Sequence, residues 1–405
     1  MSTYRYITTN ILTGQVMGDS LPLVVNSASR LLSGVGRASG HLPLQGVRAL
    51  DLGSIQALTP RKAVLWILQD GYPVWGGWLL DTPHESILDN QLPFSAVTIE
   101  GLLQYRLITG GLSFTNTDVF DIARSLVQYA TSPSIGPNAQ IAGLSYMSGE
   151  SGTTDTLTFG VSNTLQAGGD SYYGTFSDEQ QVLDALTGTA TADGFEFTFE
   201  PQPLPMGAFG WLLRLGYPAL GQYNASPPVQ AFNFPGNVIN YARPTMGSNG
   251  ANWLVGTSAA NGSGATYNSG APYGVDNIDL DNGLPLQQVA VTWPGVGVTS
   301  QAQINQYVQA LLGQYTAGTM LPSVVLGGGT APLLRTIGLG DSAAFAASSS
   351  LDPADPVTGA PGLQITGRVT GWELVPPAEN QTEKVTVTLG ALLGSSSQGA
   401  IGQVM

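Results

Sequence analysis

The sequence predicts a mainly β protein of the α+β class, built from small antiparallel barrels. Three observations predict this class. Short apolar segments separated by turn signals recur along the 405 residues, only three segments have helical periodicity, and regular βαβ crossovers do not join the strands. A coarse two-fold echo, in which strands lead to a helix and then to strands again, also runs along the chain. We therefore expect antiparallel barrels with peripheral helices.

The first hundred residues are predicted to be β structure. Residues 63–78 read as a strand, a tight turn at Asp70-Gly71 and a second strand, because Asp-Gly between apolar runs is a strong hairpin signal. Residues 97–103 are predicted to be a strand that runs into a bend. This part of the chain is therefore expected to begin the first barrel.

Three helices interrupt the strands. The first is predicted from Thr117 as N-cap to Ala130, because Val119 and the apolar residues after it recur with a spacing near 3.6. The second is predicted from the capping box at residues 177–180, with Gly188 as its terminator. The third is predicted over residues 300–313. All three are short and are expected at the periphery of the sheets.

Alternating or apolar segments predict the later strands. Residues 195–200 alternate apolar and polar side chains, which is typical of a half-exposed strand. Further strands are predicted at residues 211–215, 238–241, 322–326, 363–374 and 382–389. Residues 245–285 are rich in Gly, Asn and Ser and are expected to form loops and short strands.

The composition is poor in the groups that catalysis and metal binding use. The chain has no cysteine and two histidines, His41 and His84, and only 10% of its residues are charged. Its formal charge is −14 and no window is rich in Lys and Arg, which argues against stable binding of nucleic acid. The N-terminus shows no secretory signal, and no apolar run reaches the roughly 18 residues of a transmembrane segment. We therefore predict no catalytic residue, no metal site and no cofactor.

Three motifs invite a chemical reading, and each has a plainer alternative that we favour. Asp81 and Glu85 flank His84, but Pro83 marks an ordinary turn there. Asp276, Asp279 and Asp281 with Gly283 resemble a calcium loop, but neither register puts ligands at the required positions, so an Asx-rich turn is favoured. Gly327-Gly328-Gly329-Thr330 lacks the Lys of a phosphate loop and is predicted to be a turn.

Three tryptophans lie close together on the predicted hairpin. Trp66, Trp75 and Trp78 have the flat rings that stack on sugars, but tryptophans of this kind are more often anchors of a core or an interface. We favour the anchor interpretation and keep sugar binding as the alternative.

Several segments resemble the tail-tip or baseplate hub protein of long-tailed bacteriophages, in the version common in phages of actinobacteria. The segments that carry the resemblance are residues 63–81, 115–130, 232–241 and 300–313, then Gly340-Asp341, 367–374 and 385–390. Each motif is weak by itself, but together they follow the family's order over nearly the full length.

The resemblance implies a fold of two tube-type barrels with inserted or peripheral α+β parts. The implied division is a first barrel at 1–110, completed by about 205–235, an inserted α+β domain at 111–204, a second barrel at 236–390 and a tail at 391–405. It implies a homotrimer, in which six barrels form a pseudo-hexameric ring.

The resemblance also implies a role and a set of partners. The ring would adapt the six-fold tail tube to a three-fold tip, with the tail tube and distal tail protein above and tip or fibre proteins below. It would hold the C-terminus of the tape-measure protein, and DNA would only pass through its lumen. The protein would belong to the virion and be assembled in the cytoplasm of the host bacterium.

Two alternatives to this non-enzymatic role remain open from the sequence. One is a cell-wall hydrolase at the tail tip, which would need a carboxylate pair such as Asp81 with Glu85 or Asp276 with Asp279. The other is an adhesin that binds host carbohydrate through the Trp66–Trp78 segment. The position and exposure of these side chains discriminate between the three functions.

Overall fold

A computed structural model gives the fold of the chain. It describes residues 2–44, 49–82, 90–109, 112–117, 119–146, 172–176, 180–193, 195–217, 219–223, 225–242, 251–257, 283, 285–292, 301–302, 304–305, 308, 322–378 and 382–390. Four helices lie in these ranges: α1 Ala49–Ala57, α2 Ile99–Leu102, α3 Val119–Ala130 and α4 Val182–Asp193. No helix among them is long and apolar enough to cross a membrane.

Twenty strands lie in the same ranges, so the mainly β, α+β class is confirmed. They are β1 Tyr4–Asn10, β2 Val16–Gly18, β3 Val24–Leu31, β4 Arg37–Pro43, β5 Ala63–Gln69, β6 Tyr72–Asp81, β7 Gln91–Thr98, β8 Leu112–Thr117, β9 Leu144–Tyr146, β10 Tyr172–Phe176, β11 Glu196–Pro203, β12 Phe209–Gly216, β13 Gln230–Phe234, β14 Val238–Ala242, β15 Trp253–Thr257, β16 Gln288–Thr292, β17 Ser323–Gly327, β18 Ser342–Ala347, β19 Leu363–Val375 and β20 Lys384–Gly390.

One 13-stranded sheet runs through both ends of the chain, in the order β14-β17-β20-β19-β3-β4-β7-β6-β5-β1-β2, with β18 paired to β19 and β13 paired to β18. The long strand β19 makes this continuity. Residues 363–368 pair with β18, and residues 371–374 of the same edge pair with β3. The pairing is antiparallel except between β13 and β18. Strands from the first and last hundred residues therefore form one hydrogen-bonded surface.

The hairpin of β5 and β6 lies between two hydrophobic cores. Because side chains alternate along a strand, Leu65 and Ile67 enter one core and Val64, Trp66 and Leu68 enter the other. This double burial explains why β5 reads as an unbroken apolar run. The turn is the predicted one, since Asp70 (φ 52°) and Gly71 (φ 83°) both take the left-handed conformation that such a hairpin needs.

A layer of helices and short strands covers the second core. Helices α3 and α4 pack their buried faces there, together with α2 and the hairpin β11–β12. Strand β9 joins the edge of β12 in parallel. The first core extends instead from β3–β7 to β17–β20, so it lies under both halves of the large sheet.

Several element predictions need correction. Gly188 does not end α4, which continues to Asp193, because this glycine keeps a helical φ and Ala190 remains buried beyond it. The strand at 97–103 ends at Thr98, where α2 begins, and α1 was not predicted because its periodicity is weak.

Other predictions fall partly or wholly outside the described residues. Residues 177–179 of the predicted capping box lie outside the described residues. Asp118 of the first predicted helix also lies outside them, and the helix itself is confirmed as α3 at Val119–Ala130. Of the third helix only 301, 302, 304, 305 and 308 are described, and they are helical. The domain boundaries stay a prediction.

Candidate functional site

Of the candidate catalytic carboxylates, only Asp81 lies among the described residues. Asp81 lies at the exposed end of β6, where its Oδ2 accepts a hydrogen bond from Ser95 Oγ at 3.4 Å. His84, Glu85, Asp276, Asp279 and Asp281 lie outside the described residues, and Gly283 is described only as a turn residue. Within the described ranges, no three His, Asp or Glu side chains are grouped so that they could hold a metal ion.

The glycine run at residues 327–330 is a closed turn after β17, as predicted. Thr330 donates hydrogen bonds to the carbonyl oxygen of Gly327 from its backbone nitrogen at 3.3 Å and from its Oγ1 at 2.7 Å. The hydroxyl is therefore occupied by the turn itself.

The three tryptophans are core anchors, so the anchor interpretation is confirmed. Their exposed fractions are 1% for Trp66, 0% for Trp75 and 7% for Trp78. The ring centroids of Trp66 and Trp211 lie 4.6 Å apart, and the Nε1–H of Trp66 donates to Thr9 Oγ1 at 2.9 Å. Rings this deeply buried offer no open face for a sugar to stack on, so the burial does not support the alternative of sugar binding through this cluster.

What the structure does assemble is a set of partly buried polar contacts along β11, which we call the β11 junction: Glu196, Glu200, Arg214 and Arg368 with Arg30 and Glu100. Glu196 forms a bidentate pair with Arg368 of β19, in which Arg368 Nη1 lies 2.7 Å from Glu196 Oε2. The same oxygen accepts the backbone N–H of Leu220 at 3.0 Å. This pair links the helix-covered layer to the C-terminal strands.

A second group of the β11 junction links that layer to β3 and α2. Arg30 Nη2 donates to Thr198 Oγ1 at 3.0 Å and to the Phe199 carbonyl at 3.1 Å. Glu100 Oε1 accepts the Phe199 N–H at 3.2 Å. Burial raises the pKa of Glu100 and lowers that of Arg30, because each loses the hydration of its charged form.

Arg214 completes the junction within the hairpin β11–β12. Its Nη1 lies 2.8 Å from Glu200 Oε2. The strand predicted to be half-exposed is therefore largely covered, since Thr198 is buried and both glutamates are paired. Polar alternation had indicated solvent on this face, but other parts of the chain supply the cover.

Gln69 makes a third buried link, between the N-terminal and C-terminal strands. Its Nε2 donates to Glu383 Oε1 at 3.2 Å and to Tyr4 Oη at 2.9 Å, and its Oε1 accepts the Arg335 N–H at 3.2 Å. Burial, and then the charge of Glu383, raises the pKa of Tyr4. Sequence reasoning missed Gln69 and the junction because their partners lie as far as 314 residues away in the chain.

These contacts join segments that lie far apart in the chain. Solved structures with the same architecture include a tail protein from Neisseria meningitidis MC58, with a TM-score of 0.55, 12% identity and 95% and 96% of the two chains covered. The chain has the fold of phage tail proteins.

A second likeness, at a TM-score of 0.53 and 11% identity over 96% and 98% of the chains, is the 43 kDa tail protein of prophage MuSo2 from Shewanella oneidensis. A chain of the Francisella PdpA–VgrG complex matches with a TM-score of 0.50 and 8% identity, over 96% of this chain and 58% of that one. No family model and no curated protein matches the sequence. The resemblance is thus confirmed at the level of the fold, and the link to actinobacterial phages stays a prediction.

Proposed function

We propose that the protein is a non-enzymatic structural hub at the tip of a phage tail, which assembles as a homotrimer. The observation that carries the proposal is the fold itself: almost the whole chain superposes on almost the whole length of two tail proteins, one of which comes from a prophage. The division into two barrels, an inserted domain and a tail belongs to the same proposal. So does its place in the virion after assembly in the host cytoplasm.

The ends of the large sheet support assembly into a ring. The order of the sheet ends at β2 on one side and at β14 on the other. Strand edges that are not covered promote pairing with other chains, and a closed symmetric ring satisfies them. Apolar side chains stand exposed on both end strands, Val16 on β2 and Ile239 on β14. These strands are where we expect copies to meet.

The charge of the chain supports a passage for DNA rather than a binding site. The formal charge of −14 would repel a polyanion, and its effect reaches only about 8 Å at physiological salt. The proposed partners are the distal tail protein and tail tube above, the C-terminus of the tape-measure protein, and tip or fibre proteins below.

The oligomeric state tests the proposal. Sedimentation of the purified chain is expected to give three times its 42.1 kDa mass, and averaged electron micrographs down the axis are expected to show a three-fold ring with a central opening. A monomer under all conditions, or a ring of another order, would contradict the proposal.

Two substitutions at the end strands sharpen this test. Val16→Lys and Ile239→Lys place a charge on β2 and β14, which should weaken pairing with a neighbour and shift the sedimenting species towards the monomer. Val357→Lys is the matched control, because Val357 is even more exposed but lies in a loop outside the sheet. If all three variants assemble like the parent chain, the end strands are not the contact.

A further inference from the structure

A small basic cavity lies where the large sheet meets the helix-covered layer. It has a volume of about 220 Å³. Arg61, Lys62 and Arg106 supply its charge, and Trp78, Leu102 and Ile141 supply much of its apolar wall. We call these six residues the basic cavity. They come from four separate stretches of the chain, so the cavity is a product of the fold.

The charge of the cavity is opposite to that of the protein. Its ten lining residues include three of the 13 basic residues of the chain and none of the 27 acidic ones. Arg5, Arg124, Arg214 and Arg368 each pair with a carboxylate. Among the described residues, by contrast, no carboxylate lies within ion-pair distance of the three cations of the cavity. Within the described ranges, no direct ion pair therefore neutralises the positive charge of the cavity.

Two buried donors of the cavity residues lack an acceptor within the described part of the chain. They are the indole Nε1–H of Trp78 and the Nε–H of Arg106. Buried donors almost always have a partner, and a buried donor without a hydrogen bond costs free energy. A ligand that carries acceptor oxygens would supply the missing partner to either N–H once that side chain turns towards it.

The walls of the cavity are held by hydrogen bonds between distant segments. Arg106 Nη2 donates to the Ala139 carbonyl at 3.4 Å. The Ile11 N–H donates to the Lys62 carbonyl at 2.9 Å, and the Ala142 N–H donates to the Ile11 carbonyl at 2.8 Å. The backbone around the cavity and the Arg106 side chain are thus held in place before a ligand arrives, which lowers the entropy cost of binding.

We propose that the basic cavity binds an acidic side chain of a partner polypeptide, an Asp or Glu next to an apolar residue. A guanidinium binds carboxylates in a bidentate manner, and the apolar wall accepts the neighbouring side chain. The volume fits about one or two side chains. A nucleic acid suits the cavity less well, because the chain as a whole is acidic and the wall is largely apolar. This inference does not depend on the proposed hub role.

The experiment uses the full chain labelled with 5-fluorotryptophan and ¹⁹F NMR, with N-acetyl-Leu-Glu-amide and N-acetyl-Leu-Gln-amide as probes. The signal of Trp78, assigned by its loss in Trp78→Phe, is expected to shift with the Glu probe. The Gln probe should bind about tenfold more weakly, since it lacks the charge-assisted hydrogen bond. Equal shifts from the two probes would overturn the proposal, and so would a shift of equal size with inorganic phosphate alone.

Charge removal is the second arm of the experiment. Arg106→Gln and Lys62→Gln should each weaken binding of the Glu probe severalfold, and the exposed Lys62 keeps the test valid if Arg106→Gln folds poorly. Arg37→Gln, which removes an exposed arginine of β4 outside the cavity, should leave binding unchanged. The site would be refuted if Lys62→Gln and a correctly folded Arg106→Gln both bound the Glu probe as tightly as the parent chain. The fluorine signal reports only on the surroundings of Trp78. A negative result at the cavity therefore leaves the sedimentation test of the proposed hub unaffected.

Discussion

Gly76 is expected to be indispensable because a ring of the second core occupies the space where its side chain would be. Gly76 lies opposite Trp66 in the hairpin β5–β6. A Cβ at this position would lie 2.3 Å from Cζ3 of Trp66 and 2.6 Å from its Cε3. Ordinary contacts between carbon atoms are about 3.5–4.0 Å, so Gly76→Ala forces the ring to move by more than 1 Å.

The ring has little room to move. Trp66 is held by its hydrogen bond to Thr9 and by Trp211, whose Nε1–H donates to the Gly76 carbonyl at 3.3 Å. Overpacking of a core costs about 1–3 kcal/mol, and a lost hydrogen bond costs about 1 kcal/mol more. We therefore expect Gly76→Ala to lower the free energy of unfolding by about 2–4 kcal/mol.

Urea unfolding followed by tryptophan fluorescence measures this loss, with Gly53→Ala as the matched control. Gly53 lies in α1 with nothing within 4 Å of the added Cβ, so the control should gain about 0.5–1 kcal/mol from better helix propensity. A double variant with Trp66→Leu should lose less than the sum of its parts, because a smaller side chain makes room for the methyl group. Full additivity, or an unchanged Gly76→Ala midpoint, would refute the reasoning.

The β11 junction yields two more predictions. Glu196→Gln removes the carboxylate that binds the Arg368 guanidinium, so it should lower the free energy of unfolding by about 1.5–3 kcal/mol, the usual worth of hydrogen bonds to a charged group. Asp19→Asn at the exposed pair with Arg5 should cost at most about 1 kcal/mol. Because burial raises the folded-state pKa of Glu100, its contribution to stability is lost as pH rises. Urea midpoints between pH 4 and 8 should therefore fall for the parent relative to Glu100→Gln; parallel curves would contradict this.

Local sequence patterns predicted the elements of this fold well, and the long-range contacts poorly. The Asp70-Gly71 hairpin, α3 and the late strand β19 are where spacing and turn chemistry place them. Gly188 misled because a glycine ends a helix only where the chain takes a left-handed turn, and the buried face of α4 continues past it. The alternation at residues 195–200 correctly predicted a strand. It did not predict that Arg368 and Arg214 cover the polar face of that strand.

The candidate sites divide in the same way. The sequence alone indicated that the glycine run 327–330 is a turn and that the tryptophans anchor a core. It gave no sign of the basic cavity, because the pair Arg61-Lys62 and the single Arg106 lie more than forty residues apart in the chain. Proximity in space, which no spacing rule supplies for segments this far apart, brings them together.

By itself the sequence determined the class of the protein, because hydrophobic alternation and turn residues act over neighbouring positions and can be read without a partner. Only the tertiary structure decided how β19 joins the two ends of the chain into one sheet and which distant side chains meet in the β11 junction. The physical reason is that burial and charge pairing depend on which surfaces come to lie against each other, and chain order does not record this.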